Sequence, residues 1–487
     1  MKFDSIPEKR IIPPHEKESI TKKKYEWMKH LLDGVFDEIS PKERPTVLDF
    51  QGINPDSQEI DILKWIQREI GIEPQTIMGE KESKESKEFY IVINYAYQQA
   101  KEFLKNTLKY REEEVDIEPK FINSKNDLFN ILKRTILMKG QTGLNKSLLY
   151  CRLVKGTLAT YETLKHDAET LKHATEDFEK SLIASPNTMA SKITPLILIK
   201  ENEKRKQFYA SSHGQLKGEV SFRGKDLEKA ILKFIIRAES NAVTALKDGI
   251  ATRIVVEKEQ AVELIPIICE WLKKEKNVEK MHIENASYFS DEQIKKVEEI
   301  LSKETQEGKC KISHAKANPT SLGGFEDVRI LGRFKSLENA KENAIKKEMA
   351  EKKSKFFSLA SFTPSARQFE IQFVEPDNKN EKGKRNHAVY DVVKLITART
   401  RLDGGCPEEV FLEFVKDASK KSGINENRII DYLTKKDEKG EAPVVKIRKQ
   451  NGRKKEYYYA TKAVYSRWRD FGWVDPDLYL EIEAQKK

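Results

Sequence analysis

Cysteine is scarce in this chain: 4 in 487 residues, at Cys151, Cys269, Cys310 and Cys406. They lie far apart, and no C-x-x-C or Cys/His cluster occurs. That spacing excludes a disulfide framework and a zinc site, and implies reduced, mostly buried thiols in a cytoplasmic protein. Membrane-length apolar runs are also missing. The stretch "LIPIICEWL" suits a buried helix and falls short of the roughly 20 apolar residues of a membrane span. The opening "MKFDSIPEKRIIPPHEK" lacks the apolar core of a signal peptide, so no membrane partner is expected. Nor is there a large imbalance of charge, because 89 Lys and Arg face 79 Asp and Glu, leaving +10. This modest excess of base admits an acidic partner, nucleic acid or nucleotide phosphate, without requiring one.

What is present is length and alternation. At roughly 100–200 residues per domain the chain has room for three or four domains. Hydrophobic residues make up 38% and charged residues 34%, which provides for cores beneath a heavily charged surface. Residues 1–125 read as a charged tail with one helix, "KKKYEWMKHLLDGVFDEI", and then a βαββαβ pattern. Its strands are "PTVLDFQGI", "QTIMGEKESKESKE", "EFYIVINYA" and "EEVDIEPKF". Its helices are "DSQEIDILKWIQREIGI" and "YQQAKEFLKN". The order resembles an RNA-recognition-motif-like or ferredoxin-like module. Phe89, Ile91, Ile93 and Tyr95 then share one strand face, with Phe50 on the first strand, where aromatics of such modules stack on bases.

Residues 126–195 read as helical. Leu164, Leu171 and Phe178 recur at seven-residue spacing, which predicts a helical hairpin or short coiled pair. "MKGQTGLNKS" imitates a phosphate-binding loop but carries Asn145 where that loop needs glycine. His166 and His173 read as solvated helix residues.

Residues 196–402 alternate strands and helices. "GEVSFRGKDLEKAILKFIIRAES" is a strand entering a helix. "DGIATRIVVE", "KMHIENASYF", "GGFEDVRILGRF" and "RQFEIQFVE" supply further strands. "KEQAVELIPIICEWLKK", "SDEQIKKVEEILSKE" with a Ser–Gln capping box, and "NHAVYDVVKLITARTR" are helices. After "DGGCP", residues 403–487 give two helices joined by a Gly-containing turn. A basic hairpin centred on Asn451-Gly452 follows, and "AVYSRWRDFGW" closes as a helix. Helix, turn, helix and basic hairpin is the pattern of a winged helix. The fold class predicted is α+β multidomain: an N-terminal βαββαβ plus helical hairpin, a central mixed-sheet domain and a C-terminal winged helix.

The central stretch carries the chemistry. Arg223 and Lys225 are two apart, and Lys229 and Lys233 follow on one helix face. Cations gathered where a strand feeds a helix N-terminus favour polyphosphate. Asp248 stands at the mouth of an apolar strand and Arg253 sits within it, on the opposite face from Thr252. A buried arginine needs an anionic partner. Glu370 and Gln372 share a strand face. Two strands each bringing a carboxylate, Asp248 and Glu370, suit a Mg²⁺ ion, which takes one or two carboxylates with phosphate oxygens and water. Together these suggest phosphoryl or nucleotidyl chemistry.

At these residues the stretch from about 215 to 400 resembles the synthetase domain of the RelA/SpoT family, a nucleotidyltransferase-like fold. The matching elements are Arg223-x-Lys225 with Lys233, Asp248 through Arg253 and Ile254, and Glu370-x-Gln372. The helix "NHAVYDVVK" follows with His387, Tyr390 and Lys394. The resemblance implies that Arg223, Lys225 and Lys233 hold ATP, and that Asp248 and Glu370 serve Mg²⁺ and the acceptor hydroxyl. Gln372 and Arg253 complete the catalytic set, and pyrophosphate passes from ATP to a ribose 3′ hydroxyl of a nucleotide or RNA such as tRNA. In "TSLGGFEDVRI", Phe325 replaces the family's stacking Tyr and Arg329 its His. With His387 these form the acceptor side and leave the acceptor base open. Lys446, Arg448, Lys449, Arg453, Lys454 and Lys455 crowd the predicted wing, a grip for RNA or DNA phosphates. The rival reading is a nucleic-acid-binding protein whose central domain is a non-catalytic scaffold.

Overall fold

The computed structural model describes residues 58–70, 74–78, 84–135, 140–165, 168–184, 194–202, 205–210, 213–223, 227–236, 250–275, 278–304, 312–314, 326–334, 368–376, 381–435, 442–451, 454–461, 464 and 479–482. The chain divides into two compact units. The first comprises residues 1–163, 228–241 and 387–487, and the second residues 164–227 and 242–386. Among the described residues no helix is long and apolar enough to cross a membrane.

The N-terminal part of the first unit carries helices and no strand among its described residues. It runs through α1 (Glu59–Ile70), α2 (Pro74–Met78), α3 (Lys84–Asn106), α4 (Glu112–Val115), α5 (Lys125–Arg134) and α6 (Gly140–Lys165). The helices predicted at "DSQEIDILKWIQREIGI" and "YQQAKEFLKN" are found, as α1 and as the last part of α3; "PTVLDFQGI" and Phe50 lie outside the described residues. The expected strands at "QTIMGEKESKESKE", "EFYIVINYA" and "EEVDIEPKF" are overturned where they are described: residues 75–78 lie in α2, 84–88 and all of "EFYIVINYA" in α3, and "EEVDIEPKF" starts in α4 and continues without strand. Burial gives the reason. Phe89, Ile93, Ala96, Tyr97, Ala100 and Leu104 are all essentially inaccessible, a 3.6-residue period. Ile91 and Tyr95, which a strand would put beside Phe89 and Ile93, are 41% and 43% exposed. The phosphate-loop imitation at "GQTGLNKS" opens α6 as ordinary helix.

The second unit begins with α7 (Ala168–Leu182) and builds one large sheet. Its elements are β1 (Ile183–Ala184), β2 (Leu196–Asn202), β3 (Arg205–Ala210), β4 (His213–Arg223), β5 (Ile250–Val255), α9 (Lys258–Glu275), β6 (Val278–Ala286), α10 (Asp291–Glu304), β7 (Ile312–His314), β8 (Asp327–Phe334) and β9 (Gln368–Val374). Between β4 and β5 lies α8 (Leu227–Ile236), most of which belongs to the first unit. The nine strands run β1-β2-β3-β4-β5-β9-β8-β6-β7. The β1–β2, β5–β9 and β6–β7 pairs are parallel and the others antiparallel, so the predicted mixed sheet is present.

Strand alternation gives this sheet two unlike faces. Ile250, Ile254, Phe369, Ile371, Phe373, Val328 and Ile330 are buried on one side, in a core shared with residues of α7, α9 and α10. Phe178 of α7 lies in that core, its ring 5.8–5.9 Å from those of Trp271, Phe334 and Phe369. It therefore serves the sheet and not the seam predicted for it with Leu164 and Leu171, whose side chains lie outside the described residues. The predicted capping box of α10 is formed. The Gln293 amide N–H donates to Ser290 Oγ at 3.3 Å, and the Ser290 N–H donates to Gln293 Oε1 at 3.0 Å.

The first unit resumes in α11 (Glu381–Asp403), then β10 (Cys406–Pro407), α12 (Glu408–Ser422), α13 (Glu426–Thr434), β11 (Val444–Asn451), β12 (Lys454–Thr461) and β13 (Tyr479–Ile482). Gly423, at φ 73°, makes the left-handed turn that ends α12 and lets α13 begin. The sheet order is β10-β12-β11-β13. Asn451 pairs with Lys454, so Asn451 stands in β11 and not in the predicted turn, and Gly452 lies outside the described residues. Strand β13 was not predicted, and nearly all of "AVYSRWRDFGW" lies outside the described residues. The Phe411 ring stacks on Tyr459 at 3.9 Å and pins α12 to the sheet.

One buried polar knot ties this unit together. Asp403 Oδ1 accepts from Arg152 Nε at 3.0 Å and Nη2 at 2.6 Å, while Oδ2 accepts from Tyr110 Oη at 2.6 Å. Arg399 Nη2 stands 3.5 Å from the same Oδ2. The two guanidiniums also face the Tyr110 ring, Arg152 at 4.0 Å and Arg399 at 3.5 Å from its centroid. Cys406 beside the knot is buried, which pushes its thiol up to about 12.

Candidate functional site

The second face of the large sheet is polar where β5, β9 and β8 adjoin. Register sets one row as Arg253, Gln372 and Arg329, and the next as Ala251, Glu370 and Leu331. Thr252 lies on the apolar side, 1% exposed, so the predicted division of Thr252 from Arg253 holds. Arg253 Nε donates to Gln372 Oε1 at 2.9 Å. The Gln372 Nε2 group in turn donates to Asp327 Oδ2, and Arg329 Nε donates to the same oxygen at 2.7 Å. Asp327 is wholly buried and Gln372 is 4% exposed. Through the neutral amide of Gln372, Arg253 is thus linked to the buried carboxylate of Asp327.

Asp327 stands in "TSLGGFEDVRI", where the family resemblance assigns it no role. Its signal is a D-x-R pair two apart at the head of the strand, which puts acid and base on one face. Burial works against the charge of Arg329. Asp327, with Glu370 and Glu284 as further neighbours, outweighs that and raises its affinity for the proton. At the rim, Lys258 Nζ pairs with Glu326 at 2.8 Å and Glu375 at 3.6 Å.

The remaining predicted residues are placed unevenly. Asp248, Lys225 and Phe325 lie outside the described residues. Arg223 ends β4, and its backbone pairs with Ala251, which pairs with Glu370. Its position is therefore one strand removed from Glu370 in the same row. Lys233 is half-buried in α8, within the first unit. His387, in the first unit's share of α11, is exposed, with Nδ1 3.8 Å from Asp391. Among the described residues no group of three or more His, Cys, Asp or Glu side chains could hold a metal ion. Of the two predicted metal ligands, Glu370 alone is described.

In the C-terminal module, Lys446 is half-buried, 3.2 Å from Glu408 Oε1 and 4.2 Å from the centre of the Tyr457 ring. Arg448 pairs across the ladder with Tyr457 and, on its other side, with Glu481 of β13. Lys449 pairs with Glu456 and Leu480, Lys455 with Gln450, and Lys454 with Asn451. Arg453 lies outside the described residues. Across the ladder the basic positions of β11 thus face tyrosines and an acid, and those of β12 face Gln450 and Asn451. On α13 the exposed charged residues are Glu426, Arg428 and Asp431, an acidic balance.

Compared with protein-family models, curated proteins and solved structures, the chain matches none.

Proposed function

We propose that the large-sheet unit is a RelA/SpoT-like transferase that moves pyrophosphate, or another nucleotide-derived group, from ATP to the 3′ hydroxyl of a nucleotide or RNA. The observation that carries the reading is the polar face of β5, β9 and β8. Arg253, Glu370, Gln372 and Arg329, four residues of the sequence resemblance, occupy adjoining rows there, over a sheet whose other face is apolar. Cations fixed on a rigid sheet beside a carboxylate suit phosphoryl transfer, where catalysis is largely positioning and charge stabilisation.

In the reaction, the acceptor 3′ oxygen attacks the β-phosphorus of ATP. The new O–P bond forms as the bond from the β-phosphorus to the α,β-bridging oxygen breaks, and AMP leaves with the electron pair. The hydroxyl proton passes to a carboxylate, for which Glu370 is the described group. Arg253 and Arg329 offset charge on the phosphoryl oxygens. Mg²⁺, held by Glu370 with Asp248, would supply further charge neutralisation. The described donors alone do not make a metal site.

The C-terminal module is read as a winged helix. A long helix, a short strand, two helices and a hairpin occur in that order, with the short strand paired to the second hairpin strand. Because α13 is acidic in balance, the basic hairpin is the part proposed to meet RNA or DNA.

The test is labelled ATP and Mg²⁺ with GDP, GTP, ADP or tRNA in turn. A labelled pyrophosphorylated product from one acceptor is expected, reduced about 100-fold or more in Glu370→Gln and Arg253→Ala. No product from any acceptor would remove the transferase reading.

A further inference from the structure

The hydrogen-bond chain Arg253–Gln372–Asp327–Arg329 has a fixed polarity. A guanidinium only donates and a carboxylate only accepts. The amide between them must therefore turn its oxygen to Arg253 and its nitrogen to Asp327, as it does. Remove the carboxylate and that constraint goes: the amide is free to flip and set its own donors against those of Arg253. Asp327 also holds Arg329 by Nε, so a single buried oxygen determines the attitude of two cations of one row, on the two strands that flank β9. The other oxygen, Oδ1, is buried without a hydrogen-bond partner among the described residues. An acid so placed has a cost in isolation, and here it organises the face that the proposed reaction uses.

We infer that Asp327 is a positioning residue of the site: it sets the Gln372 amide and, through it, Arg253, and it directs Arg329. This rests on the transferase reading. Asp327 makes no contact with substrate in this account; it acts through the groups it orients.

The experiment compares wild type, Asp327→Ala, Asp327→Ser and Asp327→Asn as full-length chains. Labelled ATP, Mg²⁺ and the acceptor that gives product with wild type are used, with thermal unfolding of each variant. Asp327→Asn keeps an oxygen where Oδ2 stands and retains both hydrogen bonds. Serine keeps polarity in the buried slot but is too short to reach Gln372, so it stands in if the alanine variant fails to fold. The expected result is a kcat about 100-fold lower in Asp327→Ala or Asp327→Ser, the scale of loss from misplaced catalytic groups. The KM for ATP stays within about threefold and Asp327→Asn recovers to within about tenfold of wild type.

Wild-type kcat in both short variants overturns the inference while leaving the transferase reading standing. So does a loss in Asp327→Asn equal to that in Asp327→Ala, because charge and not hydrogen-bond geometry would then be decisive. No product from wild type with any acceptor removes the transferase reading and this inference with it.

Discussion

Replacing Asp403 by alanine tests the polar knot of the first unit. The substitution removes the acceptor of two hydrogen bonds from Arg152 and one from Tyr110, and the counter-charge of Arg399. The Arg152 and Arg399 side chains are 7% and 4% exposed, so water does not readily replace the lost carboxylate. Breaking a buried ion pair from one side costs about 3–5 kcal/mol, and an orphaned buried hydroxyl adds roughly 1–3 kcal/mol. These contributions overlap, because all of them meet at one carboxylate that is itself 16% exposed. The expected loss is about 4 kcal/mol, a large share of the roughly 5–15 kcal/mol that stabilises a domain, or roughly 10 °C in Tm for a unit of this size.

Urea and thermal unfolding followed by circular dichroism measure it on the intact chain. A double variant separates the knot from simple cavity formation. Arg152→Met with Asp403→Ala should be less destabilised than the two single losses added together, by about 1–3 kcal/mol. An Asp403→Ala protein within about 1 kcal/mol of wild type would refute the reasoning, as would strict additivity of the double variant.

Gly218→Ala should destabilise the large sheet by about 1–3 kcal/mol. Its Cβ would stand 2.4 Å from Val256 Cγ1, 2.8 Å from the Val255 carbonyl oxygen and 2.9 Å from Phe208 Cζ. Unchanged thermal unfolding would contradict that packing. Burial raises the Tyr110 hydroxyl well above its ordinary value, with Asp403 acting in the same direction. A raised folded-state value means stability fully present below the unfolded tyrosine pKa of about 10 and lost as pH rises above it. Tyr110→Phe should therefore flatten the alkaline limb of a stability–pH curve, and an unaltered limb would assign it to other groups. Replacing Lys446, Arg448 and Arg453 by Glu should weaken RNA or DNA binding and lessen its salt dependence. Equal affinity in the triple variant would move the nucleic-acid contact off the hairpin.

The large sheet was legible because its strands alternate and its helices carry their own start signals. Ser290 and Gln293 marked α10, and Glu370-x-Gln372 marked a strand with one polar face. The N-terminal region misled for a local reason. In "EFYIVINYA" the residues Phe89, Ile91, Ile93 and Tyr95 fit alternation, while Phe89, Ile93 and Ala96 fit a helix. Over nine residues the β-branched isoleucines and valine tip the balance toward strand. Carrying the pattern on to Ala100, Phe103 and Leu104 decides for helix, and all three are buried. The polar knot was hidden differently. Asp403 opens "DGGCP", which reads as a chain break, and its partners Tyr110 and Arg152 lie more than 250 residues away. No local pattern encodes a pairing of that span. Asp327 belongs to the same class, since its hydrogen bond to Gln372 joins strands 45 residues apart.

The nine-stranded sheet ends in two stubs among its described strands, the 2-residue β1 at one side and the 3-residue β7 at the other. A long flat rim would present a row of unpaired amides on which a second chain could template itself. Among the described residues each outermost strand itself offers an approaching chain a ladder of two or three residues, while the polar rows of β5, β9 and β8 lie well inside the sheet.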